Sequence, residues 1–118
     1  MFDAPWYRPT MSSPDEVLVA FSTFPSEAQA TEVARVLVDE RLVACVNLVP
    51  AIKSIYRWQG AVQEEAETLA ILKTSRDQFE AMAVRLAQLH PYDVPELIAL
   101  PVTMGLGPYL AWVISNVG

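Results

Sequence analysis

Side chains that commonly carry chemistry are scarce in this sequence, which holds one cysteine, Cys45, and one histidine, His90. A lone cysteine excludes an internal disulfide and every metal motif built on two or more cysteines. Basic residues are also few, eight Lys and Arg against fourteen Asp and Glu, for a net charge of −6. They are scattered along the chain, which argues against nucleic acid, since that affinity rests largely on basic groups neutralising phosphates. No apolar run approaches the roughly 20 residues that span a bilayer. The opening MFDAPWYRPTMSSPD has neither a basic start nor an apolar stretch of signal-peptide length, so the expected compartment is the cytoplasm. Also missing are a Gly-rich phosphate loop, a nucleophile–base pair and paired catalytic carboxylates in recognisable spacing.

Apolar residues, by contrast, are plentiful: they make up 53% of the chain, with only 19% charged. A domain of 118 residues buries a core without staples, yet this balance leaves apolar surface over, and copies of the same chain are the usual cover. Residues 1–14 carry three prolines and two serines without periodicity and read as a mobile tail. Residues 15–118 read as one domain.

EVLVAFST, from Glu16, is a continuous apolar run of strand length. PSEAQATEVARVLVDER follows, with Ser26 and Gln29 in capping-box spacing and Ala30, Val33, Ala34, Leu37 and Val38 as a helical stripe. LVACVNLVPAIKSIYRW reads as a long strand disturbed at Pro50, which has no N–H for the ladder. Gln59-Gly60 supplies a turn and AVQEEAETLAILKT returns as a second long strand. Ser75, with Gln78 three residues on, opens a second helix whose stripe is Phe79, Met82, Ala83, Leu86 and Leu89. After HPYDVPEL come a short strand, LIALPV, and a closing helix, GPYLAWVISNV. Two strand–helix–strand halves in this order predict an α+β, ferredoxin-like split βαβ fold, βαββαβ plus a C-terminal helix, with an antiparallel sheet and its helices on one face.

The second and third strands form a hairpin too long for the globule: about 15 residues at roughly 3.3 Å each reach about 50 Å, against a diameter near 35 Å. Its far end carries Ile55, Tyr56, Trp58 and Val62, poor residues to leave in water on unpaired edges. Pairing with a neighbouring subunit covers them, and repeated around a ring this contact gives a cyclic oligomer. The competing reading is a strand that breaks at Pro50 and folds back on its own subunit.

LVACVNLVPAIKSIYRWQG, ILKT, HPYDVPELIALPV and the closing PYLAWV, in this order and spacing, resemble the CutA divalent-cation tolerance proteins. The resemblance covers the chain from about Glu16 onward and implies a ferredoxin-like fold, a homotrimer whose hairpins pair between subunits, and a likeness to the trimeric PII proteins. It further implies a cytoplasmic role in tolerance of copper and other divalent cations, and places Trp112 with Ile55, Tyr56, Trp58 and Val62 in the interface. The family positions linked to copper fall on Ser22, Leu89 and His90, and a serine and a leucine do not hold copper as thiolate and imidazole do. His90 remains as a metal donor, with Glu96 or Asp93 to add an oxygen, for Cu2+ or another divalent cation. Cys45, inside a strand, reads as structural.

HPYDVPEL has two readings. In one, Pro91 and Pro95 stiffen a connector and His90 is a helix-exit histidine, favoured when charged at the carboxyl end of the dipole. In the other, Ser22, Thr23, Lys73, His90, Tyr92 and Glu96 line a ligand cleft closed by a neighbour's Tyr56 and Trp58, suited to a small anion or polar metabolite. Lys73 and Glu96 could instead pair between subunits. Three functions follow: a trimeric binding or signalling scaffold; a small isomerase-like enzyme with His90 as base and Lys73 or Tyr92 as electrophile; or a structural trimer anchoring a protein partner through its tail.

Overall fold

The computed structural model describes residues 6–7 and 15–118. Along the chain run β1 (Trp6–Tyr7), β2 (Val17–Phe24), α1 (Glu27–Asp39), β3 (Cys45–Trp58), β4 (Ala61–Ser75), α2 (Arg76–Leu89), β5 (Ile98–Pro101), β6 (Gly105–Leu106) and α3 (Gly107–Ser115). Four strands form an antiparallel sheet in the order β3-β4-β2-β5, the ferredoxin-like arrangement, while β1 and β6 form a separate two-stranded pair. The expected mobile tail lies outside the described residues except for Trp6 and Tyr7, whose backbone pairs with β6.

Both main helices start as their sequences dictate. Ser26 Oγ accepts from the Gln29 N–H at 3.2 Å, and Ser75 Oγ from the Gln78 N–H at 3.1 Å, each satisfying an amide that has no partner inside the helix. Ala30, Val33 and Leu37 of α1 and Met82 and Leu86 of α2 bury against Ala20, Phe24, Ala70 and Leu72 of the sheet. Val38, expected in the α1 stripe, is exposed instead. It borders an open groove of about 730 Å³ between α1 and β3, floored by Val46 and Leu48. The sheet ends at β3, so no further strand reaches Val38 from that side.

Residue alternation sends Ala20, Ser22 and Phe24 to the helix face and Val17, Val19 and Phe21 to the other. At one end of that second face α3 packs Leu110 and Val113 against Val17 and Ala44. Arg41, at φ +60°, ends α1 and donates to the carbonyls of Ser115 and Gly118, both at 2.9 Å, tying down the α3 terminus. The remainder of the second face stays uncovered: Val49, Ile98 and Leu100 are all exposed there.

The disturbance at Pro50 is a bulge. Val49 pairs with Leu69 and Ile52 with Glu67, so Pro50 and Ala51 together oppose Thr68. Ala51 takes φ +60°, and the extra residue keeps Ile52, Ser54 and Tyr56 on the same face as Cys45, Asn47 and Val49. Phe24, the last residue of β2, pairs with Thr68. Beyond it β3 and β4 continue alone, from Ile52–Glu67 to Trp58–Ala61. The molecule accordingly measures 57 × 26 × 23 Å, and the hairpin overhangs rather than folding home.

Candidate functional site

The connector after α2 is shaped by its prolines. His90 caps the helix with its N–H on the Leu86 carbonyl at 2.9 Å, then turns extended (φ −73°, ψ 139°), as a residue before proline must. Its ring, 7% exposed, stacks on Phe24 with centroids 4.3 Å apart and an interplanar angle of 21°. The Tyr92 backbone N–H donates to Nδ1 at 3.1 Å, and Nε2 lies 2.8 Å from the Thr23 carbonyl oxygen. An acceptor Nδ1 leaves the proton on Nε2, so these partners assign a neutral ring with both nitrogens engaged. Burial pushes the His90 pKa below its ordinary value, outweighing the opposing pull of the Thr23 carbonyl and the Glu67 charge. The expected charged helix-exit histidine is corrected accordingly: the ring is enclosed, and its burial disfavours the cation.

Tyr92 carries the connector over the open face of β4. Its hydroxyl donates to Glu67 Oε2 at 2.7 Å, and Glu67 is 8% exposed. Burial first, then the Glu67 carboxylate, raises the Tyr92 phenol far above its usual pKa, so it acts here as a donor and not as an acid. Two residues out along the arm, Tyr56 donates to Glu65 at 2.8 Å, a bond that raises the Tyr56 pKa. Thr23 Oγ1 reaches Glu96 Oε1 at 3.4 Å. One chain thus gathers Thr23, Glu67, His90, Tyr92 and Glu96 at the root of the arm.

The remaining expected cleft residues lie elsewhere. Ser22 faces the helices, fully buried, and its hydroxyl has no hydrogen-bond partner among the described residues. Lys73 sits opposite Cys45 and Val19, six residues along β4 from Glu67, or about 20 Å at strand rise, and bonds Asn47 rather than Glu96. Cys45 is only half-buried, with Sγ 3.8 Å from the Tyr109 hydroxyl. Glu67 was missed by sequence reasoning. Its one available signal was its place as the last acid before the apolar half of its strand.

Among the described residues no three of His, Cys, Asp and Glu converge to hold a metal ion. A cation at His90 would have to displace either the Thr23 carbonyl or the Tyr92 N–H. The interface candidates Ile55, Tyr56, Trp58 and Val62 all stand exposed on the arm, and Trp112 stands exposed on α3.

A ferredoxin-like sheet with its two main helices on one face, an apolar second face largely open and an overhanging arm defines an α+β domain of the ferredoxin-like class. The profile of the CutA1 divalent ion tolerance protein family matches residues 18–116, and the chain belongs to that family. It is 49% identical over 100 residues to the divalent-cation tolerance protein CutA of Thermus thermophilus, covering 85% of this chain and 97% of that one. It is 48% identical to human Protein CutA over 100 residues, but spans only 56%, about half, of that relative's length. The solved structure of the Thermus thermophilus protein superposes with a TM-score of 0.84 at 48% identity, covering 86% of this chain and 99% of that one. CutA from Synechococcus elongatus gives a TM-score of 0.87 at 30% identity over 96% of both chains.

Proposed function

We propose that the chain works as a cytoplasmic homotrimer in divalent-cation tolerance, a binding and signalling scaffold rather than an enzyme, with its clefts completed between subunits. The observation that carries this reading is the open second face with its two free sheet edges. β3 and β5 are the outermost strands of the main sheet, and Ile98 and Leu100 beside one edge are 58% and 59% exposed. Unlike edges at opposite sides of one sheet suit a heterologous contact, the kind that builds a ring when its rotation closes. The arm, with Trp58 52% exposed at its tip, supplies the aromatic anchors for such an interface.

At the root of the arm this face offers the carboxylates Glu65 and Glu67 with Glu96 nearby, while Lys53, opposite Ala66, lies on the other face against Glu64 at 4.0 Å. That favours a cation over the small anion considered from the sequence. Carboxylate oxygens are hard donors, and the Nδ1 lone pair a general base would use is taken by the Tyr92 N–H. The site therefore suits weak, oxygen-based holding of a divalent cation, with further donors from a neighbour, over tight copper binding or proton transfer. Sedimentation should give a trimer, and Trp58→Ala should weaken it by roughly 2 kcal/mol or more. Calorimetric titration with copper and manganese should give heat that Glu67→Gln abolishes and His90→Ala leaves unchanged. A monomer in sedimentation ends the assembly reading, and absence of heat with either ion ends the cation reading.

A further inference from the structure

The β6 edge carries an observation that neither the fold class nor the family reading uses. Gly105 holds β6 against α3: a Cβ there would stand 3.1 Å from a Leu110 methyl. A larger residue would press on the Leu110 side chain, so glycine lets this two-residue edge lie close on α3. Its surroundings are apolar, with Leu106, Tyr109 and Trp112 all more than 40% exposed. An edge of unpaired N–H and C=O groups among apolar side chains is a template for another chain. Here it is occupied: Trp6 pairs with Leu106 and Tyr7 with Gly105, antiparallel. Pro5 and Pro9 bracket the pair in the sequence, and proline has no N–H to give to a ladder. The family profile begins at residue 18, so this strand lies ahead of the residues that the profile matches.

We propose that the β6–α3 surface is a docking site for an extended aromatic segment, and that its occupant is the amino-terminal strand of the same chain, which guards the edge against other strands. The arrangement is strand addition within one molecule, with the segment held by backbone pairing.

Register and origin of the strand can be read together by disulfide trapping in the full-length chain with Cys45→Ser. Residues directly opposite in an antiparallel pair lie within bridging distance, so Trp6→Cys with Leu106→Cys should close a bridge inside one chain. The off-register pair, Tyr7→Cys with Leu106→Cys, points to opposite faces and should stay reduced. Covalent dimers or trimers would move the strand to a second copy, and no bridge or equal bridging in both pairs would remove the docked strand; either overturns the proposal. As a readout free of new cysteines, Trp6→Pro with Tyr7→Pro should speed amide exchange across Gly105–Leu106 by about tenfold or more. The same variant should sediment as assemblies larger than the parent as concentration rises. Unchanged exchange would overturn the docking, and unchanged sedimentation would overturn the guarding role.

Discussion

The guanidinium of Arg76 grips a single oxygen of Glu16, with Nε at 2.8 Å and Nη2 at 2.6 Å from Oε1. The Arg76 backbone N–H also meets the Glu16 carbonyl, at 2.9 Å, so the start of α2 is pinned to the start of β2. Burial of the two partners is unequal: the Glu16 side chain is 1% exposed and that of Arg76 41%. Removing the arginine strands a buried carboxylate, whereas removing the carboxylate's charge leaves an arginine that water can reach. Arg76→Ala should therefore cost about 3 kcal/mol, and Glu16→Gln only about 1–2 kcal/mol. Urea denaturation of both variants checks the order, and equal losses would mean that solvent reaches the carboxylate.

The Tyr92–Glu67 bond joins the connector to the root of the arm, and the same asymmetry applies. Tyr92→Phe leaves Glu67 buried without its donor, at a cost of about 1–3 kcal/mol. Because the two groups touch, their losses should not add: a double-mutant cycle with Glu67→Gln should show a coupling of about 1 kcal/mol or more. A coupling near zero would mean that the hydroxyl and carboxylate are each satisfied by water.

Local signals in this chain were written where the physics is local. Ser26, Gln29, Ser75 and Gln78 named both helix starts, Pro50 marked where its strand is disturbed, and simple arithmetic on strand length named the overhang. The cleft was less legible because its members meet through the sheet register. Glu67 becomes a site residue only because Tyr92, 25 residues later, crosses β4 at that level. Lys73 looked like a member as the only lysine in the core-like half of its strand, and only the pairing of β4 with β2 and β3 shows it at the other end from Glu67. The His90 charge state misled for a related reason: its helix position was visible in sequence, but Phe24 and the Thr23 carbonyl, which enclose it, come from β2. β6 was not anticipated at all, since two residues carry no periodicity.

The arm ends in a two-residue turn that demands left-handed backbone from both residues, Gln59 at φ +50° and Gly60 at φ +81°, a type I′ turn. Nothing lies within 4 Å of where a Gly60 Cβ would point, so Gly60→Ala meets no clash and pays only the backbone term, about 1–2 kcal/mol. Gln59→Asn should act in the opposite sense and stabilise by about 0.5 kcal/mol, since asparagine tolerates this region better. Thermal melts at fixed protein concentration separate the two. A neutral Gly60→Ala would place the turn in another geometry.

His90 makes stability depend on pH with a fixed sign. In the unfolded chain the imidazole titrates near its ordinary value of about 6.5, while burial lowers it in the folded protein. Between the two values the unfolded state binds a proton that the folded state refuses, so stability rises with pH across that window. The contribution is complete above the unfolded value and is lost as pH falls toward the folded one. Protonation would place a hydrogen on Nδ1 facing the Tyr92 N–H, so one of the bonds holding the connector must break. Glu67 opposes the effect through its charge but does not reverse it. The melting temperature should therefore drop as pH falls from neutral through the unfolded imidazole's value of about 6.5, and that of His90→Gln should drop less over the same range. Parallel curves for the two proteins would mean that the folded ring accepts its proton as freely as the unfolded one.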